Sequence, residues 1–128
     1  MEELKQNFLK KLKERIQNCT INSKKLREDE CYDEAKLEII KINIYEIFQT
    51  LFSATQKKVL QMKAGNPNLD ERECFTKEYL LTFDKIPKNW ADNYQKAKER
   101  EMVEVYYVEE VKLATAKEIK ELFLSCIE

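Results

Sequence analysis

Three acidic pairs in this chain stand at helical spacing: Glu30 with Asp33, Glu101 with Glu104, and Glu118 with Glu121. Carboxylates three positions apart on a helix share a face. In helical phosphohydrolases such pairs gather Mg²⁺ between facing helices, so this is the one enzymatic chemistry that the residue types leave open. With 24 acidic residues among 128, pairs at this spacing arise by chance. Glu118 and Glu121 also flank Ile119 and Leu122 on what should be a solvated side. The pairs are read first as solvated surface, and a Mg²⁺-dependent carboxylate phosphohydrolase is kept as an alternative.

Other chemistries are harder to build. The chain has no histidine, which removes the usual base of a Ser or Cys nucleophile and the commonest metal ligand. Its single glycine cannot form a phosphate loop or a dinucleotide fingerprint. Ser23, Ser53 and Ser125 stand in no nucleophile motif. Cys19, Cys31, Cys74 and Cys126 form no Cys-x-x-Cys pair, and three of them fall on or near apolar faces, where reduced cysteine packs as a small hydrophobe. No cofactor and no metal site is expected, and the chain reads as a non-enzymatic protein.

Charge is informative by its distribution. The total is −1, yet residues 1–27 carry eight Lys/Arg against three Glu, while residues 28–38 carry six acids against Lys36 alone. Lys10, Lys11, Lys13 and Arg15 are candidate contacts for an anion or nucleic acid, which makes a nucleic-acid-associated regulator a second alternative. Against it, only four of the 23 basic residues are arginine, the side chain best suited to guanine and phosphate. A basic helix packed beside an acidic helix start accounts for the same pattern.

The elements that position these residues are helical. One glycine and two prolines in 128 residues leave long stretches without a helix breaker. Leu4, Phe8, Leu12, Ile16 and Cys19 mark one face of a first helix, and Asn18, Thr20, Asn22 and Ser23 predict a break after it. A second helix is expected from about residue 30 to Ala64. Ten of the sixteen residues from Leu37 to Phe52 are apolar, so neighbours must cover it on several sides. Gly65 is expected as a left-handed cap, with Pro67 blocking continuation. Asp70, with Glu73 three residues on, predicts the cap of a third helix. Pro87 suits the first position of a fourth, whose face shows Trp90, Tyr94 and Ala97. A final helix lines up Val108, Val111, Thr115, Ile119, Leu122 and Cys126, although Val103 to Val108 also suits an extended strand. The expected fold is all-α: one domain over residues 1–128, a four- or five-helix bundle with a long, largely buried second helix.

The start of that last helix carries the main functional expectation. Val103, Val105, Tyr106, Tyr107, Val108, Val111 and Leu113 surround nearly its whole circumference. A peripheral helix should not be apolar all round. Val103, Tyr106, Tyr107 and Leu113 are therefore candidate interface residues for a protein partner or a second copy, in a homodimer. The longest uncharged run, Ile47 to Gln56, is too short to span a membrane, and the N-terminus is unlike a signal peptide. A cytoplasmic location is the corresponding expectation.

Overall fold

The computed structural model describes residues 1–128 and contains helices and no strands: α1 (Glu2–Glu28), α2 (Tyr32–Gly65), α3 (Glu71–Lys85), α4 (Lys88–Glu99) and α5 (Val103–Ile127). Val103 to Val108 is helical. The choice between four and five helices turns on Pro87. Ile86 and Pro87 both keep right-handed helical dihedrals, so α3 and α4 follow one another as a single interrupted rod. Pro87 caps α4 rather than taking its first position.

α1 runs straight through the expected break. The Thr20 hydroxyl donates to the Ile16 carbonyl one turn back, while Cys19 and Ser23 are buried. Side chains that compete with the backbone in an isolated peptide are thus absorbed by the helix and its packing. The helix ends where Cys31 N–H donates to Leu26 O (2.7 Å) and Glu30 adopts φ 63°. The α4–α5 turn repeats this geometry, with Met102 N–H donating to Ala97 O (2.9 Å) and Glu101 at φ 55°. Glutamate therefore occupies two left-handed positions that glycine fills most easily. The one glycine does the reverse: Gly65 ends α2 without a positive φ, followed by an extended Asn66 at φ −145°. Asp70 caps α3 as the sequence predicts, its carboxylate accepting from Glu73 N–H at 3.1 Å.

α2, with 34 residues and about 51 Å of length, is the spine. It is flanked by α1, α3 and α5. Phe8 stacks on Phe52 while Cys19, later in α1, neighbours Glu38, earlier in α2, so α1 is antiparallel to α2. Phe52 against Phe75 and Phe48 against Phe83 make α3 antiparallel as well. Tyr79 stands at the centre of this aromatic cluster, with Phe8, Phe52, Phe75, Phe83 and Phe123 around it and its hydroxyl donating to Phe48 O at 2.8 Å. Ile39 and Ile47, on the remaining side of α2, are still 36–37% exposed.

The core is unevenly distributed along the rods. The aromatic cluster fills the end bounded by α3 and the C-terminal halves of α2 and α5. Towards the other end, α4 packs against α5, with Tyr94 stacked on Tyr106 (centroids 4.8 Å apart) and Lys112 lying 6.0 Å over the Trp90 ring. The pair forms a helical arm whose turn, Arg100 to Met102, is exposed.

Candidate interaction surface

The tip of this arm gathers exposed apolar side chains. Val103 is 59% exposed, Tyr107 55% and Met102 49%, and Val105 is also exposed. Met102, Val103 and Tyr107 border a cleft of about 420 Å³, which Ala97, Lys98, Glu101 and Tyr106 also line. Ala97 is buried, and its small side chain leaves room above it. Of the four expected interface residues, Val103 and Tyr107 face outward. Tyr106 is half-buried, held by its stack on Tyr94 and by the Tyr94 hydroxyl donating to its own at 3.1 Å. Leu113 is half-buried nearly two turns beyond Tyr106 on α5, away from the cleft. Met102 completes the patch, whereas Val105, two positions from both Val103 and Tyr107, is exposed on the opposite side of α5 and does not line the cleft. Met102 immediately precedes the apolar run, and the turn geometry alone brings it to the cleft.

The basic residues of α1 do not form one surface. Successive helical positions are about 100° apart, so Lys10 and Lys13 share one side of α1 and Lys11 and Arg15 another. Lys10 and Lys13 are exposed, and Lys11 lines a polar cleft with Asn7, Arg72 and Ser125. Arg15 Nε lies 3.7 Å from Glu118 Oε1.

That last contact belongs to a polar seam between α1, α2 and α5. The Tyr45 hydroxyl donates to the same Glu118 oxygen at 2.9 Å. Glu118 therefore does not lie on an open solvated face, as its spacing with Glu121 suggests, but closes a three-helix contact. Above it, Lys41 Nζ lies 3.2 Å from Glu38 Oε1, while Glu38 Oε2 is buried without a hydrogen-bond partner. Cys19 is buried, and burial, reinforced by the neighbouring Glu38 carboxylate, pushes its thiol up to about 12. A thiol held protonated through the neutral range is not a nucleophile; the seam sets the register of three helices.

Glu109 repeats the Glu38 pattern on α5. It is buried, its Oε1 lies 3.2 Å from Lys112 Nζ, and its Oε2 has no partner. Nothing in the sequence distinguishes either Glu-x-x-Lys from a surface pair. Of the remaining spaced acids, Glu30, Asp33, Glu101, Glu104 and Glu121 are exposed, and no three His, Cys, Asp or Glu side chains come together as a metal-binding group. No helix is long and apolar enough to cross a membrane.

Comparison with known proteins returns no match: no family model, no curated protein and no solved structure is significantly similar to this chain.

Proposed function

We propose that this protein is non-enzymatic and works by protein–protein contact, using the tip of the α4–α5 arm to associate with a second copy. The observation that carries this reading is the apolar patch of Met102, Val103 and Tyr107 around an open cleft, on an arm whose inner face is already satisfied by its own tyrosine stack. A lone exposed valine is ordinary; three large apolar side chains beside a cleft mark a contact surface. Tyrosine suits this role, being apolar with a hydrogen-bonding tip. The four unpaired cysteines fit a reducing, cytoplasmic setting.

Magnitudes favour a weak complex. Fully burying a side chain of this size contributes about 1.5–3 kcal/mol, and association costs about 4–15 kcal/mol. Half-exposed residues from two copies offset this cost only at the favourable end of both ranges, so the expected affinity is micromolar or weaker. Sedimentation equilibrium from low to high micromolar concentration should show mass rising from monomer towards dimer, and Tyr107→Glu should abolish the rise. A strict monomer throughout, or a dimer indifferent to Tyr107→Glu and Val103→Glu, would overturn the reading.

A further inference from the structure

The charges around the arm tip point to how the two copies meet. Lys96 and Lys98 lie in the last turn of α4 and Arg100 caps it, Glu101 lies in the turn and Glu104 in the first turn of α5, with Glu99 the one acid on the basic side. Each group suits the dipole of its own helix end. Basic residues thus predominate at the end of α4 and acids at the turn and start of α5, with Lys98 and Glu101 both lining the cleft. All six side chains are exposed, and none forms an ion pair within the chain, although other lysines and glutamates do. Their charges over residues 96–104 cancel, so the rim repels no copy of itself by net charge.

A patch that must fit itself is constrained by symmetry. In a two-fold dimer the same surface faces its own rotated image, so a basic half and an acidic half on opposite sides of the axis become mutually complementary. We infer that two arms meet tip to tip about a two-fold axis through the Met102–Tyr107 patch, with Lys98 and Arg100 of each copy opposite Glu101 and Glu104 of the other. This rests on the self-association proposed above and deepens it: apolar contact supplies the attraction, and the divided rim sets orientation and rejects a parallel-shifted arrangement.

Charge reversal tests the geometry separately from the association. Lys98→Glu with Arg100→Glu leaves Lys96 as the one cation on an otherwise acidic rim; Glu101→Lys with Glu104→Lys leaves Glu99 as the one acid on an otherwise basic rim. Each double variant alone should dimerise at least tenfold more weakly than the parent, because both cross-contacts become repulsive. An equimolar mixture should restore parental affinity as a heterodimer, because both become attractive again. Helical circular dichroism confirms that each variant folds. Raising salt should weaken the parent dimer and the restored heterodimer alike.

Two results overturn the arrangement while leaving self-association through the arm intact. One is parental affinity in both charge-reversed variants; the other is a mixture that remains as weak as its components while Tyr107→Glu still abolishes the parent dimer. A dimer indifferent to every arm variant places the contact elsewhere, with the exposed α2 side of Ile39 and Ile47 next in line, and overturns both proposals. A parent chain that never dimerises overturns both as well.

Discussion

The Tyr45 hydroxyl, on a side chain only 3% exposed, donates to Glu118 Oε1 at 2.9 Å and joins two helices separated by 73 positions in sequence. Arg15 approaches the same oxygen from α1, so one carboxylate ties three helices together. Hydrogen bonds to charged groups contribute more than neutral ones, but the Glu118 side chain is 42% exposed, and water competes for it. Tyr45→Phe should therefore cost about 1–2 kcal/mol, seen as a lower urea midpoint at unchanged slope. Glu118→Gln should cost less, because the amide oxygen still accepts. An undiminished midpoint in Tyr45→Phe would show that the bond adds nothing.

Alkaline pH should destabilise the fold through Cys19. Burial, then Glu38, raises its folded value from 9.0 to about 12. The unfolded chain releases this proton near the ordinary value while the folded chain retains it, so the contribution is complete below about pH 9 and is lost as pH climbs towards 12. Tyr45 and Tyr79, both raised chiefly by burial, act in the same sense at higher pH. Cys19→Ala should flatten the fall in urea midpoint above about pH 9; an equal slope in both proteins contradicts this account. In the parent at neutral pH, the half-exposed Cys31, Cys74 and Cys126 should alkylate before Cys19.

Removing the Glu109–Lys112 pair together and removing its lysine alone should act in opposite directions. Glu109 is buried, with one lysine partner and one oxygen that has none. Glu109→Met combined with Lys112→Met should stabilise the protein by about 1–4 kcal/mol. Lys112→Met alone leaves a buried carboxylate unpaired and should destabilise it by about 3–5 kcal/mol. Thermal melts of the two variants give the answer, and shifts of the same sign would contradict it.

Glu30→Gly and Glu101→Gly should each stabilise by about 1 kcal/mol, because both glutamates hold positive φ at helix ends where glycine is favoured. Gly65→Ala, at a helical position with ordinary φ, should be neutral or mildly stabilising. Chemical denaturation of the three variants tests the assignment of strain to the two αL turns.

Much of the fold was readable because helix signals in this chain are local. The scarcity of breakers, the Leu4–Phe8–Leu12 stripe, the apolar density of α2 and the Asp70 cap each follow from spacing that neighbours cannot easily override. The misreadings came where tertiary contact decides. Asn18 to Ser23 breaks a helix only if its side chains have no better partner, and packing supplied one. Glu38, Glu109 and Glu118 look identical in sequence to solvated acids; only the helices facing them turn them inward. Of the predicted α5 stripe, Thr115 and Ile119 are buried while Val108, Val111, Leu122 and Cys126 are half-buried, and Glu109, Ala116 and Phe123 are buried beside them, because α5 has neighbours on several sides. The exposed positions of Val103 and Tyr107 agree with an apolar excess at the start of α5, whereas Tyr106 turned to its neighbour Tyr94.

The sole tryptophan, Trp90, sits under Lys112 where the arm meets the bundle, outside the aromatic cluster around Tyr79. Its fluorescence is thus a private window on that junction. Should the arm detach before the rest of the molecule melts, emission and far-ultraviolet ellipticity would trace two separate curves, and a single optical probe would mistake the loosening of one limb for collapse of the whole.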